Sequence, residues 1–327
     1  MSSPKNRLRL GIIGCGLIAR RHARWLAAES RAEVILCCDP SDAAARAFAD
    51  EFFPGVRIET DALAAIAHEP LEAVILCSPT PRHYEQAREA LDRGLHVLAE
   101  KPLAQERLAL LDLVSRSRDA HRVLTIAHQR RHMPAYATAR RELTANAEWY
   151  GPVRQVHLFV CERWQATIDG TWRDDPAMNV GYFGDAGIHQ VDVVSFITGL
   201  RPEAVFAVSG QRGSRVEVVT AVLARLTGGV GLAAHFVGSA QHYREDLHFH
   251  CERGDLLVRG EEVWRAKDNQ LERITDLVPT SNPLVDFLDA VLEGQPSVAP
   301  PEIALPILDW TEGVLTSSRE GRWVYLP

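Results

Sequence analysis

The sequence predicts an α/β chain of two domains: a doubly wound parallel sheet at the N-terminus, then an α+β domain with a large, mostly antiparallel, open-faced sheet. Three observations carry this expectation. The 327 residues suffice for about two domains of roughly 150 residues each. The first 127 residues alternate apolar runs with helical patterns, the texture of a parallel sheet covered on both faces. From Val153 onward the runs lengthen and take a period of two, as antiparallel strands do. The expected domains are residues 1–127 and residues 128–327.

In order, strands are expected at Arg7–Ile13, Glu33–Cys38, near Val56–Ile58, and at Ala73–Cys77, Leu95–Ala99 and Val123–Ala127. Between them Ile18–Ala28, Ala43–Phe53, Asp61–His68, Arg82–Arg93 and Gln105–His121 carry apolar positions three or four apart, the spacing of a helix with one buried face. Helices alternating with strands in this way make a doubly wound sheet. In the second half Val153–Glu162, Ala204–Ser209, Val216–Leu226, Val230–Val237 and Asp246–Cys251 are expected strands, with Thr227-Gly228-Gly229 as a turn. Along Val216–Leu226, Val218, Val222 and Leu226 face one way, while Val219, Ala221 and Leu223 face the other. Two apolar faces call for helices on one side and a second subunit on the other, so a homodimer or homotetramer is expected. Helices at Pro283–Glu293 and Glu302–Glu320 close the chain.

Composition excludes several classes. Thirty-six Lys and Arg against 43 Asp and Glu give a net charge of −7. No block of five like charges forms a basic stripe, so nucleic acid is a poor partner. The six cysteines lie mostly inside apolar runs such as Val34-Ile35-Leu36-Cys37-Cys38, which reads as buried thiols in a reducing compartment. Lys5, Arg7 and Arg9 before Leu10–Ala19 imitate a signal peptide. The apolar run before Cys15 is too short for that, and no span reaches about 18 apolar residues, so a cytoplasmic protein without a membrane partner is expected.

Gly14-Cys15-Gly16-Leu17-Ile18-Ala19 follows the first expected strand and opens the first helix. Gly14 allows the tight turn, Gly16 lets the backbone approach a pyrophosphate, and Ala19 lets helix pack on strand. Asp39 ends the second strand, near the spacing expected of a carboxylate that binds the adenine ribose. Together they predict a Rossmann dinucleotide site; the alternative is a glycine turn that binds nothing, with Asp39 a solvated strand end. A carboxylate here would repel a 2′-phosphate, so NAD is preferred to NADP.

Three further segments belong together: Cys77-Ser78-Pro79-Thr80-Pro81-Arg82-His83, Glu100-Lys101-Pro102, and Asp185-Ala186-Gly187-Ile188-His189-Gln190-Val191-Asp192. The first two would lie at carboxyl ends of strands, where ligands of open α/β sheets bind. With these residues the chain resembles the glucose–fructose oxidoreductase, inositol dehydrogenase and MocA (Gfo/Idh/MocA) family over nearly its whole length, from the glycine turn to Ser317-Ser318-Arg319-Glu320-Gly321-Arg322.

The resemblance implies that Lys101 hydrogen-bonds the reacting oxygen, His189 exchanges its proton, and Asp185 orients His189 or the substrate. It also implies a cis Lys101–Pro102 bond. The residue types suit the chemistry, because oxidising an alcohol expels a hydride and a proton: a near-neutral base must take the proton while a cation stabilises developing alkoxide. Asp185 and His189 are four apart and on a helix would share a face, as a purely structural pair also would. Asp192 is either a supporting group or a cap.

Glu100 joins the cofactor-binding set, and Ser78, Pro79 and Thr80 would flank the nicotinamide ribose. His83 either caps its helix or touches the cofactor. Arg130 and Arg131 open the second domain, where the family often has an arginine near the ligand; surface solvation is the alternative. Trp172-Arg173 matches a pair that lines the pocket or simply packs. Where the family often has three glycines, this chain has Asn179-Val180-Gly181, so its substrate side departs from the pattern. Glu162, Trp164, Gln165, His242, Tyr243 and Arg244 are candidates for recognising substrate. His248-Phe249-His250 has metal-like spacing but no third ligand evident in sequence, so no metal is expected.

The implied function is an NAD(P)-dependent oxidoreductase acting on a secondary alcohol or ketone of a small-molecule sugar, polyol or sugar derivative. Two alternatives come from other relatives: a glycosidase that retains NAD and oxidises C3 transiently, and a dinucleotide-binding regulator. Retention of Lys101, Asp185 and His189 counts against the regulator.

Overall fold

In the computed structural model, which describes residues 7–68 and 70–327, six strands form a parallel sheet. They are β1 (Leu8–Ile13), β2 (Ala32–Cys38), β3 (Arg57–Glu59), β4 (Ala73–Leu76), β5 (His96–Ala99) and β6 (Leu124–Ile126), in the order β3-β2-β1-β4-β5-β6. Lys5 of the basic start lies outside the described residues. Crossovers run through α1 (Leu17–Ala27), α2 (Asp42–Phe52), α3 (Ala62–Ile66), α4 (His83–Asp92) and α5 (Arg107–Asp119). The order reverses outward from β1 and β4, the switch point at which doubly wound sheets bind ligands. Every residue of β4 is buried, as a central strand covered on both faces requires. Ser41 and Asp61 cap α2 and α3 by accepting the Ala44 and Ala64 amides.

The chain divides into two units, Met1–Gln129 with Ser281–Leu305, and Arg130–Thr280 with Pro306–Pro327. Residues 281–305 thus return to the first unit, although they fall within the expected second domain. The reason is the helix Pro283–Glu293, which places Leu284, Phe287 and Leu288 in the same core as Ala19, Ala23 and Phe48. Its Asp289 and Glu293 also pair with Arg31 at 2.6 and 3.1 Å.

His96 fixes the start of β5, its Nδ1 accepting the Val123 amide at 3.0 Å. Burial, aided by the Arg122 charge, lowers its pKa from 6.5 to about 4. A depressed folded pKa contributes stability above pH 6.5 that is lost as pH falls toward 4, because the unfolded chain takes up the proton first. With the ring partly exposed, we expect the wild type to lose about 1 kcal/mol more than His96→Asn between pH 7 and pH 4.5. Urea unfolding of both proteins measures this, and identical pH dependences would contradict it.

The second unit is built on nine strands: β7 (Val153–Cys161), β8 (Pro202–Gly210), β9 (Val219–Leu226), β10 (Val230–Val237), β11 (Arg244–Cys251), β12 (Asp255–Arg259), β13 (Glu262–Lys267), β14 (Gln270–Ile274) and β15 (Val324–Tyr325). Their order is β14-β13-β12-β11-β7-β10-β9-β8-β15. Neighbours are antiparallel except β7 and β10. The helical parts are α6 (Pro134–Ala145), α7 (Ala147–Tyr150), α8 (Gln165–Ile168), α9 (Ile188–Thr198) and the closing helix Ala304–Glu320. Val156, Leu158, Val222, Leu232, Phe236 and Phe249 on one face of the sheet share a core with Val191 and Val194 of α9 and Trp310 and Val314 of the closing helix. On the opposite face Leu223 is 52% and Val208 62% exposed. The alternation expected along Val216–Leu226 is present, and one face is open. Strand β12, the polar strands β13 and β14 and helix α6 are not among the elements expected from sequence periodicity.

Candidate functional site

In the first unit the chemistry-bearing residues gather at the carboxyl ends of β1, β2, β4 and β5. The chain leaves β1 through Gly14, whose φ is 92° and whose side chain would place a Cβ 2.7 Å from the Cys77 carbonyl carbon; glycine alone fits there. Gly16 begins α1 with open space where a side chain would stand. Among the described residues no side chain caps the helix, and no acidic residue lies in its first turn. The helix therefore offers its N-terminal amides outward, the arrangement that favours a pyrophosphate. Leu17 is 88% exposed beside it and Ile18 is half-buried. The residues present thus fit a dinucleotide.

Asp39, just beyond β2, accepts the Cys15 amide on Oδ2 and the Ser41 amide on Oδ1, each at 3.0 Å. Its carboxylate braces the glycine loop as well as setting a negative charge beside it. After β4, Ser78 donates its hydroxyl to Gln86 Oε1 at 2.6 Å, Pro79 is exposed, and Thr80 opens a short turn into α4. His83 is buried, with Nε2 2.7 Å from the Ser78 carbonyl and Nδ1 2.7 Å from the Pro102 carbonyl. Burial pulls its pKa below the ordinary value, against the two carbonyls and the Glu100 charge. Both ring nitrogens are engaged, so His83 straps the β4 loop to the Lys101–Pro102 loop.

Glu100 is buried beneath that loop. Its Oε1 is 2.9 Å from His22 Nε2, and its Oε2 accepts the Lys101 amide at 3.3 Å. Burial would raise its pKa, but the His22 hydrogen bond and the charges of His22, Lys101 and His83 outweigh burial and hold it below the ordinary carboxylate value. The Lys101–Pro102 peptide is cis, as the resemblance implies. His22 is the residue that sequence reasoning missed. It sits on the inner face of α1 as an ordinary helical residue, and no spacing ties it to a carboxylate 78 positions away.

In the second unit, Asp185 and His189 do not share a simple α-helix. Phe183–Gly187 forms a π-helical turn and α9 begins at Ile188, so Asp185 lies on the wide turn and His189 at the start of α9. Such turns recur at functional sites. Gly184 permits the packing here, since a Cβ on it would stand 2.2 Å from Val180 Cγ2. Asp185 is buried and accepts Arg173 Nε at 2.7 Å. The Arg173 guanidinium lies 4.4 Å from the Trp172 ring centroid. Asn179 Nδ2 donates to the Arg173 carbonyl at 2.8 Å, while Val180 is 47% exposed. The departure from three glycines therefore anchors the Trp172–Arg173 segment. Asp192 is buried and accepts Arg131 Nε at 3.0 and 2.9 Å.

Arg130 belongs to a separate network. It donates to Glu245 at 2.7 Å and to Tyr136 at 2.9 Å. Glu245, 2% exposed, also accepts from Tyr136, and from Tyr243 and Gln190, each at 2.8 Å. Glu162, just past β7, feels both clusters: burial raises its pKa, Tyr182 and Arg130 oppose, and the Glu245 and Asp185 charges add to the rise. Trp164 packs on Tyr182 at 5.4 Å between centroids. Gln165 opens α8, His242 is exposed, and Arg244 pairs with Asp246. Of the recognition candidates, Tyr243 is thus hydrogen-bonded into the Arg130–Glu245 network, and Glu162 feels its charges.

Residues 8–128 match the family described as "Oxidoreductase family, NAD-binding Rossmann fold", and residues 136–257 match the "GFO/IDH/MocA C-terminal domain". The chain is 25% identical over 292 residues to an inositol 2-dehydrogenase of Rhizobium meliloti strain 1021, covering 86% of this chain and 82% of that protein. It is 28% identical over 200 residues to the rhizopine catabolism protein MocA of Rhizobium meliloti, covering 60% of this chain; the chain spans only 59% of that relative's length. The crystal structure of the WlbA dehydrogenase from Bordetella pertussis, in complex with NADH and UDP-GlcNAcA, superposes with a TM-score of 0.86 at 22% identity over 98% of this chain and 99% of that one. Among the described residues no helix is long and apolar enough to cross a membrane.

Proposed function

Because the chain belongs to the Gfo/Idh/MocA oxidoreductase family, we propose that it transfers a hydride between a nicotinamide dinucleotide and a secondary alcohol or ketone of a sugar, polyol or sugar derivative. The observation that carries this is the glycine turn and uncapped α1 in one unit, with Lys101 held on a loop braced by Glu100, His22 and His83. The polyol and sugar names of the relatives support the substrate class.

When bound, the dinucleotide supplies the carbon that accepts or returns the hydride. Gly14, Gly16, Leu17 and Ile18 would hold its pyrophosphate on the helix N-terminus, and Ser78, Pro79 and Thr80 would flank the nicotinamide ribose. Lys101 presents an ammonium to the substrate oxygen and stabilises alkoxide charge. His189 takes the hydroxyl proton in oxidation and returns it in reduction. Asp185, with Arg173 and Trp172, orients the substrate or His189. Glu100 and His83 act through Lys101 and Ser78, as positioning residues. Arg130, neutralised by Glu245, braces the second-unit network to which Glu162 and Tyr243 bring acceptors for substrate hydroxyls.

The test is a screen of sugars, inositols and sugar acids with NAD and with NADP, read by the absorbance of the reduced nicotinamide. Net reduction with a polyol or sugar supports the proposal; substrate cleavage without net reduction, the glycosidase behaviour, overturns it. Two of the three relatives named above are called dehydrogenases, which favours net oxidation.

Asp39 supports NAD over NADP, since its carboxylate would meet a 2′-phosphate with like charge. Asp39→Asn keeps one acceptor for the two amides that Asp39 holds and removes the charge. We expect it to narrow the NAD/NADP affinity ratio by about tenfold or more, measured by calorimetric titration. An unchanged ratio would remove Asp39 from cofactor selection.

We also propose that a second copy covers the β8 to β10 part of the open sheet face, where Leu223 and Val208 are exposed, giving a homodimer or homotetramer. Light scattering should report a multiple of 36.3 kDa; a monomer at micromolar concentration would refute it. The free cysteines, five of six buried, support a reducing, cytoplasmic setting.

A further inference from the structure

Outside the oxidoreductase machinery, the second-unit sheet carries a cluster of imidazoles with a carboxylate. His248 and His250 share the face of β11 opposite the core, since Leu247 and Phe249, which alternate with them, are buried. Asp255, the first residue of β12, pairs with His250 in register across the sheet. One donor atom from each of His248, His250 and Asp255 lies within 4.8 Å of the other two. They are the one such group of three among the described residues. The third ligand missing from the local sequence is therefore supplied by the neighbouring strand.

The spacing suits a small tetrahedral ion. His248 Nε2 and His250 Nδ1 each stand 3.3 Å from Asp255 Oδ2. Metal–ligand bonds of about 2.0–2.1 Å at tetrahedral angles put ligand atoms about 3.3–3.4 Å apart. The two imidazole rings are 3.8 Å apart between centroids, and His157 of β7, opposite His248, sets its ring edge-on to His250 at 5.2 Å. Side chains about one-third exposed leave room for water in the fourth position. Two nitrogens and one oxygen select a borderline divalent transition ion over magnesium or calcium, which want more oxygens.

We propose that His248, His250 and Asp255 form a binding site for one divalent transition-metal ion of the zinc, cobalt or nickel type. The site is separate from the residues assigned to hydride transfer, and the proposal does not depend on that assignment.

The test uses the full chain after chelator treatment and dialysis, titrated with Zn²⁺ in competition with a chromophoric chelator, and with Co²⁺ followed by its visible absorption. We expect one equivalent of Zn²⁺ per chain with a dissociation constant of about 10 μM or tighter, and a Co²⁺ spectrum of a four-coordinate site without thiolate charge transfer. His248→Asn/His250→Asn, which removes two of the three ligands, should weaken binding by more than about 100-fold. Asp255→Asn should weaken it too, and His235→Asn, an exposed histidine on β10, should leave it unchanged. Circular dichroism of each variant checks that the sheet is retained. The inference is overturned by substoichiometric binding in the wild type, by equal affinity in the double variant, by an equal loss in His235→Asn, or by a thiolate-type cobalt spectrum.

Discussion

His189→Ala is expected to lower kcat by about 10²–10⁴-fold, the usual contribution of a positioned acid or base. His189 stands at the start of α9, directly after the π-helical turn that carries Asp185. Removing its ring leaves the helix backbone and the Arg173–Asp185 pair in place. The glycine loop that would hold the dinucleotide lies in the other unit, so NAD affinity by calorimetry should change little. The limb of the kcat/KM pH profile that reports the proton acceptor should disappear with it. Near-normal turnover, or a loss confined to NAD binding, would take His189 out of the proton-transfer role.

Lys101→Met is expected to cost about 10²–10³-fold in kcat, because it deletes a cation aimed at forming negative charge while keeping the length and apolar stem of the side chain. Its loop should survive the change. The Lys101 amide is held by Glu100, Glu100 by His22, and the Pro102 carbonyl by His83, and none of these bonds uses the ammonium. An unaltered melting temperature and NAD affinity beside a collapsed kcat would separate chemistry from folding. Full activity in the methionine variant would mean that another group stabilises the oxygen.

How much of this could be read from the sequence follows from the range of the forces involved. The parallel strands were readable because a strand buried on both faces must be continuously apolar, as Ala73–Leu76 is. The glycine turn was readable because φ of 92° at Gly14 admits little else. The polar strands β13 and β14 were not, since outer strands of a sheet carry charges that blunt further pairing and so lose the alternating signal. Nor was the return of Pro283–Glu293 to the first unit, which rests on Leu284, Phe287 and an ion pair to Arg31 more than 250 positions away.

At the candidate site, Lys101, Asp185 and His189 stood out by family pattern, and the cis bond came with it. Their supports did not. His22 beneath Glu100 and the Glu245 carboxylate gathering Arg130, Tyr136 and Gln190 are long-range contacts that no spacing signals, and the short bond from Asn179 to the Arg173 carbonyl exists only once that segment has turned. The π-helical turn was likewise hidden, because Asp185 and His189 at a spacing of four fit an ordinary helix equally well.

Hydride transfer itself is tested most directly with a substrate from the screen that carries deuterium on the reacting carbinol carbon. After turnover with NAD, mass spectrometry should find the deuterium on the nicotinamide ring of the reduced cofactor, in step with ketone formed, and Lys101→Met and His189→Ala should slow its appearance together. Deuterium released to water, or product formed while all cofactor remains oxidised, would contradict it.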